Sequence, residues 1–320
     1  MKKNIIGKVV KIILGVVAVL MVVGTIGMAK LVTDGVFYQN KNNDTQTNSV
    51  KQLVTYGFDL DGFNADYKGK EISVTAEDGN VVPGTLFDVD SDKCVVLVHG
   101  AGGDRVSTYP LAQQYIDRGY DVIAFDDRGH GLNPDEKVTF GIYELRDVKA
   151  LVKYARETLG SSEVIVHGQS MGAQVTAIYA SNVTPGTAEA ADAVICDSPV
   201  PGMEYMIRSV IADDDPEAME SFVTSYFTET GKLYSKIFYH INWNDGDTIN
   251  AVANDKLPTL VFVSEKDTVC LPEKVEEVYE NIGSSVKSIA YVNSAHIEGV
   301  IDDPDGYMEY VEEFLANAGL

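Results

Sequence analysis

The sequence predicts an α/β protein: a mostly parallel sheet, covered by helices on both faces and interrupted by a helical cap insertion. Three observations carry that reading. From Cys94 onward, short β-branched runs alternate with segments of helical period. Ahead of them, Glu71–Thr75 alternates in polarity, Asp78-Gly79-Asn80 makes a turn, and Val81–Phe87 returns, which reads as a β-hairpin. Within Val164–Ala177 a strand passes into a helix over a few residues, through Gly168-Gln169-Ser170-Met171-Gly172.

Taken in order, residues 1–30 stand apart. Lys2, Lys3, Lys8 and Lys11 precede an uncharged run from Ile12 to Ala29, which Lys30 closes. At 1.5 Å per residue that run extends about 27 Å, close to the hydrocarbon thickness of a bilayer. The positive flank places the N-terminus in the cytoplasm and the remainder outside. Two readings stay open: an uncleaved anchor, or a signal segment cut after Gly27-Met28-Ala29, which would leave the protein secreted. Residues 31–69 read as linker and lead-in, with the polar stretch Gln39–Ser49 expected to be flexible.

Residues 70–320 form the main domain. After the hairpin, strands are expected at Cys94–Val98, Asp121–Phe125, Glu163–Val166, Ala193–Cys196, Thr259–Val263 and Lys287–Val292. Helices are expected at Tyr109–Arg118, Tyr143–Leu159, Ser170–Ser181, Pro272–Ile282 and Tyr307–Ala316. The rhythm breaks between Ser198 and Asp255. This stretch has helical patterning and eight aromatic residues, and it is too long for a simple connection. It reads as a cap over the strand ends, and is expected to cover Ser170 and give the pocket an apolar wall.

Composition narrows the function. Five lysines and no acids in residues 1–30 leave 20 basic against 48 acidic residues, a charge of −28, in the remainder. Such a surface disfavours nucleic acid and anionic headgroups and repels anionic substrates. Cys94, Cys196 and Cys270 are far apart and form neither a metal-binding spacing nor a disulfide framework.

The chemistry gathers at the carboxyl ends of the strands. A tight strand-to-helix turn pushes the Ser170 hydroxyl clear of the backbone, with glycines two residues to either side. A serine nucleophile needs a base, and the base needs an orienting carboxylate. His296 follows the last strand in Asn293-Ser294-Ala295-His296, and Asp267 follows the preceding one in Ser264-Glu265-Lys266-Asp267. The order Ser170, Asp267, His296 is nucleophile, acid, base. Two backbone N–H groups, of Ala101 in His99-Gly100-Ala101-Gly102-Gly103 and of Met171 at the helix start, are the candidate oxyanion donors. His99 and His130 read as structural.

Together H-G-A-G-G, F-D-D-R-G-H-G, G-Q-S-M-G, C-D-S-P, S-E-K-D and N-S-A-H resemble the α/β-hydrolase superfamily. The likeness is nearest to membrane-anchored bacterial members of the Bem46-like and serine-aminopeptidase-like branches. It covers about Lys70–Leu320. It implies an eight-stranded sheet, no cofactor, no metal, and Ser170, Asp267 and His296 as the triad. One departure is the acid loop, where S-E-K-D lacks the commoner leading glycine. Serine at the nucleophile position argues against the dehalogenase and epoxide-hydrolase branches. The expected activity is hydrolysis of an uncharged small-molecule acyl ester. A peptidase acting on short peptides, a carbon–carbon or haloperoxidase-type hydrolase, and a non-catalytic binding protein on the same fold are the rivals. Nothing in the sequence bears on oligomeric state.

Overall fold

The computed structural model describes residues 2–212 and 215–320. The side chains of Lys2 and Lys3, counted above in the basic flank, lie outside the described set. Eight strands form one sheet: β1 (Lys70–Thr75), β2 (Val81–Phe87), β3 (Lys93–Val98), β4 (Asp121–Phe125), β5 (Glu163–Gln169), β6 (Ala193–Asp197), β7 (Thr259–Ser264) and β8 (Lys287–Val292). Their order is β1-β2-β4-β3-β5-β6-β7-β8. The β1–β2 and β2–β4 pairings are antiparallel and all others are parallel. The helices, in chain order, are α1 (Lys2–Phe37), α2 (Thr45–Tyr56), α3 (Leu60–Asp66), α4 (Tyr109–Ile116), α5 (Glu144–Tyr154), α6 (Met171–Ala180), α7 (Met203–Ala212), α8 (Pro216–Met219), α9 (Phe222–Tyr234), α10 (Thr248–Ala251), α11 (Pro272–Asn281), α12 (Gly299–Asp302) and α13 (Pro304–Ala318).

Apart from the partly exposed edge strand β8, the parallel strands are buried on both faces, so they read as continuous apolar runs whose alternate residues feed opposite faces. On one face Val95, Leu97, Ile165 and Phe262 pack with Tyr115 of α4 and Tyr307, Val311 and Phe314 of α13. On the other, Cys94, Val96, Val98 and Val166 pack with Val148 and Leu151 of α5 and Val175 and Tyr179 of α6. All three cysteines are free and buried, and behave as small apolar groups.

The chain divides into two compact units. One comprises Met1–Val36 with Ile207–Trp243; the other comprises Phe37–Met206 with Asn244–Leu320 and contains the whole sheet. Two expectations change. The flexible linker expected at Gln39–Ser49 runs into α2, which belongs to the sheet-containing unit. Its polar residues are hydrogen-bonding groups. Asp44 caps the helix by accepting from Thr47 N, and the Ser49 hydroxyl accepts from Asp104 N at 2.7 Å. Thr45 Oγ1 accepts from Gly131 N. The cap insertion also does not behave as one piece. Its ends stay with the sheet unit, where Gly202 bridges Asp247 and Thr248 donates to Val200 O, while its middle groups with α1.

Candidate active site

The turn after β5 holds Ser170 at φ 57°, ψ −119°, a backbone conformation rare for a residue with a side chain. Its flanking glycines are obligatory for space. A Cβ on Gly168 would stand 2.1 Å from Gly172 O, and one on Gly172 would stand 2.1 Å from Val98 O on the neighbouring strand. The turn is held by Ser170 N donating to Asp197 O at 2.9 Å.

His296 lies between the other two residues singled out by chain order. Its Nδ1 is 2.6 Å from Asp267 Oδ2, and its Nε2 is 2.8 Å from Ser170 Oγ. Since a carboxylate only accepts, Nδ1 carries the proton and Nε2 is free to accept from the serine hydroxyl. The other oxygen of Asp267 accepts from Val269 N and Cys270 N, which fixes the carboxylate plane. The glycine missing from the acid loop is replaced by strand-like pairing. Glu265 N donates to Val292 O and Lys266 N to Ser294 O, tying the acid loop to the histidine loop.

Ala101 sits in the loop after β3, and Met171 opens α6. The loop is pinned by the two structural histidines. His130 donates through Nδ1 to Arg128 O and accepts at Nε2 from Gly102 N at 3.0 Å. His99 donates to Gly100 O and accepts from Asp127 N. Both rings are buried, and desolvation lowers His99 to about 4 and His130 to about 3, so each stays a neutral donor–acceptor. Among the described residues, no group of three or more His, Cys, Asp or Glu is placed to hold a metal ion.

Comparison with known proteins agrees with this fold. A family profile described as the alpha/beta hydrolase fold matches residues 93–223. A thermostable monoacylglycerol lipase of Bacillus sp. (strain H-257) is 26% identical over 240 residues, spanning 69% of this chain and 90% of the lipase. YqkD of Bacillus subtilis, an uncharacterized protein, is 22% identical over 235 residues, spanning 71% of this chain and 72% of its own. Among solved structures, the Pyrococcus furiosus esterase Pf2001 superposes with a TM-score of 0.62 at 25% identity, covering 79% of this chain and 94% of the esterase. The chain has the α/β-hydrolase fold.

In this hydrolase a cavity of about 150 Å³ opens onto Ser170 and His296. Its wall is Gln52 and Tyr56 of α2, Gly100, Ala101 and Gly103 of the β3 loop, Ser107, Pro110 and Leu111 around the start of α4, Gln169, and Ile297, Val300 and Ile301 beyond the histidine. Among the described residues none of the lining comes from Ser198–Asp255, which was expected to supply it. The lead-in helix α2 supplies Gln52 and Tyr56 in its place. The sequence signal for α2 was present, an Asp44 cap and Gly57 at a left-handed C-cap, but its low apolar content hid it.

Sequence reasoning also missed a buried polar chain beneath the turn. Tyr307 donates to Asp197 Oδ2 at 3.0 Å, so its oxygen accepts from His167 Nε2–H at 3.0 Å. His167 Nδ1 then accepts from the Tyr115 hydroxyl at 2.9 Å. Burial lowers His167 to about 3 and raises Asp197 to about 6. No periodicity could have revealed this, because its four residues come from α4, β5, β6 and α13.

Proposed function

We propose that this hydrolase is a membrane-anchored serine esterase acting through Ser170, His296 and Asp267. The observation that carries the reading is His296 standing in hydrogen-bond contact with both Ser170 and Asp267 at the mouth of a small cavity. Ser170 Oγ attacks the acyl carbonyl while His296 Nε2 takes its proton. Asp267 holds the Nδ1–H tautomer and stabilises the imidazolium. The negative oxygen of the tetrahedral intermediate faces the N–H groups of Ala101 and Met171. Collapse breaks the ester C–O bond, and the imidazolium protonates the leaving alkoxide. Water then repeats the sequence on the acyl-enzyme, releasing the acid and restoring Ser170.

The cavity supports a short, uncharged acyl group. Its walls set Pro110, Leu111, Val300 and Ile301 beside Gln52, Ser107 and Gln169 and carry no Asp, Glu, Lys or Arg, and its volume is small for a long chain. The −28 charge outside residues 1–30 disfavours anionic acyl groups. The esterase and lipase relatives support ester chemistry. For the anchor, the apolar helix Ile5–Phe37 supports membrane insertion. The uncharged run Ile12–Ala29 is longer than most signal-peptide cores, which supports an uncleaved anchor. The lysine flank orients the N-terminus inward.

The experiment is active-site labelling of the full chain in detergent with a fluorophosphonate, followed by kcat/KM for esters from acetyl to decanoyl, with a succinyl ester and an aminoacyl amide. Labelling confined to Ser170 and a maximum at short, uncharged acyl chains is expected. Absence of labelling overturns the serine mechanism. Preference for the aminoacyl amide makes the protein a peptidase, and preference for the succinyl ester overturns the charge argument.

A further inference from the structure

Helix α9 is inverted for a protein in water. Its buried positions are Thr224, Thr228 and Gly231, while Phe222 is 83% exposed, Val223 58% and Tyr226 40%. A water-facing helix shows the opposite pattern. What this face meets is indicated by its partner in the same compact unit, α1.

The two helices run parallel. Tyr226 Oη and Thr25 Oγ1 are 2.6 Å apart, Thr33 Oγ1 donates to Gly231 O at 3.3 Å, and Tyr239 bonds Asp34. At Gly231 an added Cβ would lie 3.4 Å from Val32 and 3.0 Å from Trp243. That glycine lets the backbones meet, as small residues do between helices in bilayers. These contacts fix depth. Gly231 is level with Val32 and Thr33, about 4 Å outward of Lys30, where the apolar run of α1 ends. Phe222 lies nine residues earlier on α9, about 13 Å back along the axis, and so falls about 9 Å on the apolar side of Lys30. Residues 222–228 carry no charge, and the first charge on α9, Glu229, falls near the rung of Lys30. Glu217 and Glu220 precede the helix, and Arg208 donates to Met219 O and Ser225 Oγ, so the exposed apolar side chains and not the whole turn are what meets the acyl layer.

We propose that the exposed side chains of the first two turns of α9, Phe222, Val223 and Tyr226, insert into the acyl layer of the membrane that α1 spans, on the side where α1 ends at Phe37. The inference rests on the reading of α1 as a membrane anchor. The occupant of the exposed face is phospholipid acyl chain, at the depth of interfacial amphipathic helices. The cap is then a second membrane contact, and the hydrolase is held at the bilayer by two helices.

The test uses the full chain reconstituted in phosphatidylcholine vesicles containing doxyl-labelled phosphatidylcholine. An environment-sensitive nitrobenzoxadiazole probe is attached at Phe222→Cys, Val223→Cys or Leu20→Cys; the native cysteines are buried. Phe222 and Val223 are exposed side chains; Phe222→Cys gives up only a ring contact with Tyr226, which Val223→Cys keeps. The expected result is blue-shifted emission at all three sites, with quenching at 222 and 223 at least half that at 20. If Leu20 is quenched while 222 and 223 emit as in water, α9 is outside the acyl layer and the inference is overturned with the anchor intact. If Leu20 also escapes quenching, the anchor fails and the inference falls with it.

Discussion

The two compact units solve burial in opposite ways. The sheet-containing unit buries charged and polar groups and gives many of them partners: Arg128 reaches Asp147 through two bonds, of 2.7 and 2.9 Å, and His130, His167 and Tyr307 each bond on two sides. Its apolar groups turn inward, as water requires. The unit of α1 and the middle of the cap turns threonines inward and leaves phenylalanine, valine and leucine outside. A polar interior is held together by hydrogen bonds that must be completed, whereas an inverted surface is held by the solvent it faces. Hydroxyl deletions should therefore be costly in the first unit and mild in the second.

The largest effect belongs to chemistry confined to the sheet unit. Ser170→Ala should lower kcat on the order of 10⁴-fold or more while leaving the unfolding transition in place, since Ser170 sits on a turn and fills no core. Asp267→Asn should cost less than His296→Ala, as the imidazole can still accept the proton from a disfavoured orientation. Kinetics beside circular-dichroism melts check both, and appreciable turnover by Ser170→Ala would remove the serine from the mechanism.

Next comes Tyr307→Phe. The ring would keep its stack on Phe262, at 4.0 Å between centroids, and lose only the hydroxyl. That leaves the buried His167 Nε2–H without its acceptor, while Asp197 Oδ2 keeps Gln169 Nε2 as a donor at 3.3 Å. An unsatisfied buried group costs about 1–3 kcal/mol, so a loss of about that size in unfolding free energy is expected by denaturant titration. A loss below about 0.5 kcal/mol would mean the chain is not a structural element.

A smaller, pH-dependent effect follows from the same chain. The folded pKa of His167 is depressed from 6.5 to about 3 by burial, so its contribution is present above about pH 6.5 and lost as pH falls towards 3. At pH 5 the loss is about 2 kcal/mol. Asp197 works in the opposite direction: raised to about 6, it contributes below its unfolded value and loses that contribution as pH rises through 6. His167→Gln isolates the imidazole while keeping a donor and an acceptor between the two tyrosines. Between pH 7 and pH 5 the variant should lose about 2 kcal/mol less than the native protein. Equal losses would contradict a buried neutral histidine.

How much of this was legible follows from where the information resides. The strand Asp121–Phe125 was readable residue for residue, because a buried parallel strand is a local apolar run with turn residues at its ends. The helix after Pro272 was readable from its period and its proline. Ser170, Asp267 and His296 could be nominated because each stands just past a strand end. Helix α2 was not readable, since its sequence is polar and its reason for folding is the loop it bonds, through Ser49 to Asp104 and Asn48 to Gly102. The partner of α9 was not readable either. Amphipathicity shows which face is apolar but not whether that face meets protein or lipid. The aromatic pairs Phe222/Tyr226 and Tyr234/Phe238 do lie together, at 6.3 and 4.5 Å between centroids, yet Phe222 and Phe238 remain exposed.

The smallest expected effect tests the other half of the comparison. Thr25 Oγ1 and Tyr226 Oη make a short hydroxyl pair, 2.6 Å apart, between α1 and α9. Deleting either hydroxyl leaves one polar atom at a partly exposed site beside lipid, where headgroups, water or a neighbouring carbonyl can replace the lost partner. Side-chain hydrogen bonds between helices in bilayers average about 0.6 kcal/mol for that reason. Thr25→Val and Tyr226→Phe preserve shape, so a double-mutant cycle on the full chain in mixed micelles isolates the pair. A coupling of about 0.6 kcal/mol is expected, below the loss in Tyr307→Phe. A coupling above about 2 kcal/mol would mean that the pair is sealed from both water and lipid, and would place the inner face of this unit under the same rule as the sheet unit.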